Sequence, residues 1–354
     1  MPYQIFTLET KKDWISKFNQ LPDSLQDIYF HPAYLEVFEL RGEGKATCFI
    51  FEQEDKVIIY PYLLNSISGL GYIGDTNYFD ITGPYGYNGT ISNSDDASFI
   101  SSFNECFVKY CNEKNIIAEF VRFHPVYHNE KYSTRTKNNI NNKNIVVDLL
   151  VADLLASYEY SVRKNIKKAI RNGLTVKCFS GDQITEEIIN QFHNIYRDTL
   201  IRNSADKNSI YDIAFFRSIT LICDKNSSIF FTYYENKPIS TELVLWGETI
   251  GYSYLGGTLS EYFHLRPNEI LKFELMKFLK QNGRNFFLIG GGKQPNDGIY
   301  NYKANFAKTG VLDFLIGRRI YNEPVYLNLI QQWEARSSQE KIETYKNYFY
   351  RYRL

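Results

Sequence analysis

One predicted helix, from Leu154 to Asn172, carries five basic residues on a single side. They recur at helical spacing: Arg163, Lys164, Lys167, Lys168 and Arg171. At about 100° per residue they fall within an arc of roughly 140°. The opposite arc is apolar and is predicted to pack inward; it contains Val162, Ile166, Ala169 and Ile170. Such a face is either a solvated helix surface or a counter-charge for a phosphate-bearing substrate or an acidic lipid surface. The pattern leaves both interpretations open.

Two predicted strands carry side chains that suit proton transfer. Glu242 lies in the middle of the strand Ile239 to Trp246, where a carboxylate either faces outward or is a buried functional acid. In the second case it could accept a proton from an attacking amine. Tyr252 and Tyr254 alternate on the next strand, and strand periodicity predicts that they share a face.

Glycines follow two of the predicted strands. Gly256 and Gly257 end one strand, and Gly290, Gly291 and Gly292 end another. Glycine permits either a tight turn or a close approach of the backbone to a ligand. Three consecutive glycines exceed what a turn needs, so the pattern favours close approach.

An aromatic loop and a histidine mark the N-terminal part. The loop Pro84–Gly89 contains Tyr85 and Tyr87, and is either a surface turn or a platform for a sugar or peptide acceptor. His124 follows a strand that ends near Arg122, and we interpret it as a structural residue rather than a base. Lys303, taken alone, suits a solvated surface.

Composition excludes several classes of protein. Lys plus Arg and Asp plus Glu each number 40 in 354 residues, and this neutral balance argues against general binding of nucleic acid, DNA included. The five cysteines form no CxxC pair, which suits reduced thiols and predicts no metal site. No leader-like apolar segment or run of about 18 apolar residues is found. We therefore expect a cytoplasmic protein, with peripheral contact to the inner membrane left open and the oligomeric state undetermined.

The order of predicted elements is the strongest fold signal. From Thr175 to Leu315 it runs strand, two helices, three strands, helix, strand, short helix, strand. The length predicts two domains, which we place at 1–150 and 151–354, the second with a helical tail over 325–354. The Asn-rich run 138–144 is predicted to be an exposed loop. Asn268 is predicted to cap the helix that follows the third strand.

Short motifs in this order resemble the Fem-type peptidyltransferases and related acyltransferases of the Gcn5-related N-acetyltransferase (GNAT) superfamily. The motifs lie at 84–87, 122–125, 163–169, 196–199, 254–257, 267–268, 290–292 and 303–306. The resemblance implies an α/β (α+β) fold of two tandem GNAT-like domains, each a mixed central sheet flanked by helices. It implies transfer of an acyl group to an amine of an amino sugar or cell-envelope precursor, in polysaccharide or peptidoglycan pathways.

The resemblance also implies roles for individual residues. Lys303 matches the lysine of the closing motif and would stabilise a developing oxyanion. With Glu242 and Tyr254 it forms the predicted catalytic set. The predicted acceptor-binding residues are Arg163, Lys164, Lys167, Tyr196, Arg197, Tyr85, Tyr87 and Arg122. The predicted donor-binding residues are Gly256, Gly257, Arg266, Asn268, Gly290, Gly291 and Gly292. The acceptor is expected to be a nucleotide- or lipid-linked amino sugar.

Two departures from the family pattern bear on the donor. The glycine-rich loop that holds the pyrophosphate of coenzyme A is missing between Gly257 and Asn268, although Arg266 and a helix N-terminus could still hold a phosphate. The long helical hairpin that some Fem-type enzymes insert is absent. The first departure argues against acyl-CoA and the second against aminoacyl-tRNA. We expect no tightly bound cofactor and acyl-CoA as co-substrate, with aminoacyl-tRNA as the alternative. A non-catalytic module that binds a glycan or its lipid carrier is the rival from another class.

Overall fold

The apolar patterns of the sequence form the expected succession of helices and strands in a computed structural model. The structure describes residues 3–72, 77–134, 136–205, 210–292, 294 and 296–354. The strands are β1 Tyr3–Thr7, β2 Lys45–Gln53, β3 Lys56–Ser66, β4 Phe79–Thr82, β5 Ile91–Ser92, β6 Ile116–Arg122, β7 Lys137–Asp148, β8 Thr175–Ser180, β9 Ser227–Tyr234, β10 Lys237–Trp246, β11 Ile250–Thr258, β12 Phe286–Gly290 and β13 Val311–Ile320. The α-helices are α1 Lys11–Phe18, α2 Pro32–Leu40, α3 Ala97–Glu113, α4 Leu154–Ser157, α5 Tyr160–Arg171, α6 Glu186–Arg202, α7 Ile213–Ile222, α8 Pro267–Gln281, α9 Gly298–Ala304, α10 Glu323–Arg336 and α11 Gln339–Tyr345.

These elements form two compact units. The first unit comprises residues 1–25, 29–141 and 314–354, and the second comprises 26–28 and 142–313. Each contains a mixed sheet flanked by helices, which confirms the predicted fold class. Among the described residues, no helix combines the length and apolar character needed to cross a bilayer.

An aromatic core holds the first unit together. Helix α3 begins where Asp96 accepts the Phe99 amide, the side-chain cap that helix N-termini prefer. Phe103 and Phe107 of α3 pack with Phe49 of β2. The sheet of this unit runs β1-β2-β3-β4-β6-β13, with β4 and β6 parallel and the other pairs antiparallel.

The C-terminal tail packs in the first unit, although the sequence analysis assigned it to the second domain. Helix α10 buries Tyr326 and Trp333 in a cluster with Ile117 of β6. The buried Asp80 carboxylate accepts Tyr352 Oη at 2.8 Å and Arg353 Nε at 2.6 Å. The tail has a helical period but no local mark of which sheet it covers, so sequence reasoning attached it to its neighbours in the chain.

The sheet of the second unit runs β8-β9-β10-β11-β12-β7. Strands β8 to β11 form an antiparallel meander, β12 pairs in parallel with β11, and β7 pairs antiparallel with β12. Helices α5 and α8 pack with Phe230, Val244 and Trp246 of this sheet through residues such as Ile166 and Leu275. The predicted element order from Thr175 to Leu315 is confirmed.

Two local predictions were wrong. The Asn-rich run 138–144 lies in strand β7 rather than in a loop, because partners along the sheet supply order that its polar side chains do not. Helix α8 starts at Pro267 with Arg266 as its N-cap, in the left-handed region at φ 67°. The Asn268 side chain is already engaged: its Oδ1 accepts Ser240 Oγ at 2.9 Å and Thr258 Oγ1 at 2.5 Å.

Candidate active site

Strands β11 and β12 separate part-way along their length. They pair only from Ile250 with Phe286 to Tyr252 with Leu288. Beyond that point β11 continues to Thr258 and β12 to Gly290 without pairing to each other. We call the space between Ser253–Thr258 and Ile289–Gly290 the sheet opening. A separation of this kind leaves room for a ligand inside an otherwise continuous sheet.

A β-bulge marks the β11 side of the sheet opening. Leu243 of β10 pairs with Leu255, and the adjacent Val244 pairs with Ser253, so Tyr254 is the extra residue. A bulge interrupts the alternation of side chains along a strand. The shared face predicted for Tyr252 and Tyr254 therefore does not follow from strand periodicity here. Tyr254 is buried, and the Tyr252 hydroxyl donates to the buried Asp27 carboxylate.

Glu242 is buried beside the sheet opening and is bonded to a lysine. Lys272 of α8 places Nζ 2.5 Å from Glu242 Oε1 and 2.7 Å from Ser253 Oγ. A buried carboxylate is tolerated when it is paired and hydrogen-bonded. The outward-facing alternative for Glu242 is thus excluded, and the side chain joins β10, β11 and α8.

Lys303 lies on the β12 side of the sheet opening. Its Nζ donates to Gly291 O at 2.7 Å. Burial lowers the pKa of Lys303 to about 8, helped by the Lys272 ammonium, while the carboxylates of Glu242 and Asp297 act in the opposite direction. Desolvation and a like charge both disfavour the protonated amine. At neutral pH the side chain is still mostly a cation, and it can stabilise negative charge that develops on an oxygen in the opening.

Two further polar groups lie near this cluster. The Tyr302 hydroxyl is buried and has no hydrogen-bond partner among the described residues. Burial, reinforced by Glu269 and Glu242, raises the Tyr302 pKa far above its usual value, so the phenol stays protonated. Glu269 is itself buried and accepts Asn165 Nδ2 of α5 at 2.9 Å.

The glycines predicted to bind the donor face protein atoms. A Cβ on Gly256 would lie 2.4 Å from Thr241 O, and one on Gly257 would lie 2.6 Å from Ile195 O of α6. Gly291 has Lys143 O, and Gly292 the Asp297 carboxylate, at similarly short range. A side chain at any of these four positions would clash with these atoms. Close packing against neighbouring elements therefore explains why the residues are glycines.

Gly290 differs from the other four. Its φ of 77° lies in the left-handed region, which favours glycine. A Cβ there would lie 3.6 Å from Lys303 Nζ, which is an ordinary contact distance. The glycine turn therefore directs the chain from β12 past the Lys303 ammonium.

The basic side of α5 is formed as predicted. Lys164, Lys167, Lys168 and Arg171 are exposed, while Val162, Ile166 and Ala169 are buried. Arg163 bends back and donates to Tyr158 O at 2.9 Å and Ala156 O at 3.2 Å. Ile170, predicted to pack inward, is 55% exposed.

On α6, the structure separates two residues that are adjacent in the sequence. Tyr196 is buried with Phe192 and Phe216, and its hydroxyl accepts the Tyr211 amide at 3.3 Å. Arg197 is exposed. The position of Tyr196 gives it a packing role, and helical spacing alone could have placed it on the apolar side with Phe192.

The remaining predicted acceptor residues belong to the first unit. Arg122 donates to Gly83 O and Gly86 O, both at 2.9 Å, and so holds the loop that contains Tyr85 and Tyr87. The Tyr87 ring is buried, whereas Tyr85 is 45% exposed.

The predicted structural role of His124 agrees with its surroundings in the same unit. His124 is fully buried, and burial, with a smaller effect of His128, lowers its pKa to about 3. Its Nδ1 accepts the amides of Val126 and Tyr127 at 3.2 and 3.3 Å. With a pKa this low the imidazole stays neutral near neutral pH, and its Nδ1 lone pair is already used in capping a turn, so the ring is poorly suited to act as a general base.

Sequence reasoning missed four polar residues in or beside the sheet opening. Lys272 and Glu269 lie three residues apart on α8, which is the spacing of one helix face and could have drawn attention to them. Tyr302 is the immediate neighbour of Lys303. Asp27 gave no signal, because its contact with Tyr252 joins positions far apart in the chain.

The chain was compared with known families and structures. Residues 156–304 match the acetyltransferase (GNAT) domain family, a range that contains Glu242, Lys272 and Lys303. No curated protein sequence matches the chain. FemX shares 13% identity with a TM-score of 0.69, over 92% of this chain and 99% of that chain.

Two other solved structures share the fold. The C-terminal domain of an Agrobacterium fabrum protein assigned as a lysylphosphatidylglycerol synthetase shares 12% identity with a TM-score of 0.55, over 91% and 96% of the two chains. A conserved protein of unknown function from Bacteroides thetaiotaomicron shares 7% identity with a TM-score of 0.54, over 90% and 100%.

The family match assigns residues 156–304 to the GNAT acetyltransferase domain family, which supports an acyltransferase. The chain shares its fold with FemX. The match to the GNAT domain family confirms that part of the predicted resemblance.

Proposed function

We propose that this acyltransferase moves an acetyl group from acetyl-CoA to an amine on an amino sugar or another cell-envelope precursor, in the cytoplasm. The observation that carries this proposal is the sheet opening, with the Glu242–Lys272 pair on one side and Lys303 on the other. The acetyl carbonyl would lie between them.

The proposed reaction is a direct attack without a covalent enzyme intermediate. The amine nitrogen bonds to the carbonyl carbon, the C–S bond breaks, and the thiolate leaves. The amine proton passes to Glu242, directly or through water. Lys272 occupies Oε1 of Glu242, so Oε2 is the proposed proton acceptor. The Lys303 ammonium stabilises the carbonyl oxygen as it gains charge, and Tyr254 bounds the opening at the bulge.

The proposed acceptor carries its amine on a nucleotide or a lipid. Its phosphates would meet Lys164 and Lys167 on the exposed face of α5. Arg163 would contribute charge while its hydrogen bonds hold the turn before α5. Arg197 stays a candidate for the same ligand. Tyr85, which is exposed on a loop of the first unit that Arg122 holds, stays a separate sequence-based candidate for acceptor binding.

A second candidate uses aminoacyl-tRNA as donor, and the start of α8 favours it. Free amides at a helix N-terminus are a favourable site for the phosphates of coenzyme A. Here the first helical residue is Pro267, which has no amide hydrogen, and the Asn268 side chain is bonded to Ser240 and Thr258. At the start of α8, the exposed side chain of Arg266 is then the cation that could contact a phosphate.

A transfer assay separates the two donors. The protein is incubated with a panel of UDP-linked amino sugars and with either acetyl-CoA or charged tRNA as donor. The product mass is measured for both donors, and thiol release for acetyl-CoA. Lys303→Met, which keeps the side-chain volume, serves as the inactive control. A product one acetyl group heavier than the acceptor supports the proposal. Product only from charged tRNA supports the second candidate, and no product from either donor contradicts both.

A further inference from the structure

The exposed face of α5 carries cations that have no paired carboxylate among the described residues. Its inward side is fixed in the core of the second unit by Val162 and Ile166, and by the bond from Asn165 to Glu269. Across the part of the chain that the structure describes, no carboxylate forms an ion pair with Lys164, Lys167, Lys168 or Arg171. In a chain of zero formal charge, this is a local positive surface.

Two apolar side chains lie on the same exposed face. Tyr160 is 68% exposed and Ile170 is 55% exposed. At about 100° per residue, both fall within an arc of roughly 160° that also contains the basic side chains. A surface groove of about 650 Å³ runs along this face, lined by Tyr160, Arg163, Lys164, Lys167, Ile170 and Arg171.

We propose that this α5 face docks on the surface of an anionic phospholipid bilayer. Lysine and arginine reach lipid phosphates while their alkyl stems lie in the interfacial region. Tyrosine is suited to the headgroup level, and an exposed isoleucine gains from leaving water there. Charge complementarity alone would also suit RNA, but RNA phosphates offer nothing to Ile170, so the combination favours lipid.

This inference deepens the proposed function on its acceptor side, because a lipid-linked amine would be presented at the same surface. Docking concerns binding rather than transfer. Vesicle binding therefore tests docking separately from acyl transfer. Docking can be found without transferase activity, and transferase activity can be found without docking.

The test is flotation with vesicles of phosphatidylcholine alone or with phosphatidylglycerol added. The wild type is expected to bind only the anionic vesicles and to be released by high salt. Each interfacial cation contributes about a fivefold factor in affinity, so Lys164→Gln with Lys167→Gln is expected to weaken binding by about twenty-five-fold. The matched control is Lys109→Gln with Lys114→Gln, two exposed lysines at the end of α3. Melting temperatures confirm that each variant is folded.

Separate variants test the contribution of the apolar side chains to vesicle binding. Tyr160→Ser with Ile170→Ser is expected to weaken vesicle binding by at least about tenfold, whereas Leu221→Ser, at a residue 77% exposed on α7, is expected to leave it unchanged. The proposal is overturned if the wild type ignores anionic vesicles, or if the α5 variants float like the wild type. The proposal is also overturned if the α5 variants lose affinity for tRNA while they keep their affinity for vesicles.

Discussion

Lys272 Nζ lies 2.5 Å from Glu242 Oε1, and the two side chains are only 10% and 6% exposed. This pair changes the role of Glu242 from a lone carboxylate to one half of an ionic unit. The same ammonium contacts Ser253, where β11 leaves β12. The electrostatics of the sheet opening therefore depend on three groups: Glu242, Lys272 and Lys303.

Glu242→Gln is expected to destabilise the fold and suppress transfer. Removing one partner of a buried ion pair leaves the other charge uncompensated, at a cost of about 3 kcal/mol in the free energy of unfolding. Losing a proton acceptor lowers kcat by about a hundredfold or more. Urea unfolding and initial rates measure the two effects.

The control for this prediction is the double variant Glu242→Gln with Lys272→Met. With both charges gone, stability should return to within about 1 kcal/mol of the wild type, because the penalty came from an unpaired charge. Activity should stay low. If the single variant were as stable as the wild type, the ion pair would have no structural role.

Lys303→Met is expected to raise stability at neutral pH. The folded-state pKa of Lys303 is about 8, against 10.5 for the unfolded chain. Below pH 8 both states hold the proton, so the full cost of burying the ammonium is present, roughly 3 kcal/mol at most. Between pH 8 and 10.5 the folded wild type sheds its proton first and gains stability.

The difference in stability between Lys303→Met and the wild type should therefore be largest at pH 7 and should vanish by about pH 10.5. Melting temperatures across this range measure it, and other titrating groups cancel in the difference. A gap that stayed constant with pH would mean that Lys303 titrates normally.

The fold could be read from the sequence far better than the site. The element order from β8 to β13 could be predicted because each helix or strand has its own periodic pattern of apolar residues within about ten residues of sequence. The Glu242–Lys272 contact joins β10 to α8, and Asp27–Tyr252 joins the start of the chain to β11. Such pairs depend on how elements pack, and no local spacing encodes that.

Gly257→Ala tests whether the glycine is needed for packing. A Cβ there would lie 2.6 Å from both Ile195 O and Thr199 Oγ1, so α6 must shift away from β11. The expected loss is about 1–3 kcal/mol in the free energy of unfolding. Gly298→Ala is the matched control, since its Cβ would meet nothing within 4 Å, and it should be neutral or slightly stabilising. Equal effects at both positions would refute the packing role.

Tyr196→Phe is expected to leave the KM for the acceptor unchanged. Its ring packs with Phe192 and Phe216, which phenylalanine can reproduce, and its hydroxyl accepts one backbone amide. The stability loss should be about 1 kcal/mol. A KM raised tenfold with stability unchanged would instead restore the acceptor-binding role predicted from the sequence.

The central claim is that Lys303 acts as a cation in the sheet opening. The most direct measurement is kcat against pH for the wild type and for Lys303→Arg, whose guanidinium keeps its charge throughout. The wild-type rate should fall through about pH 8 as Lys303 loses its proton. The arginine variant, whatever its absolute rate, should lack this fall. A wild-type rate that rises through pH 8, or a fall that persists in Lys303→Arg, would contradict the account.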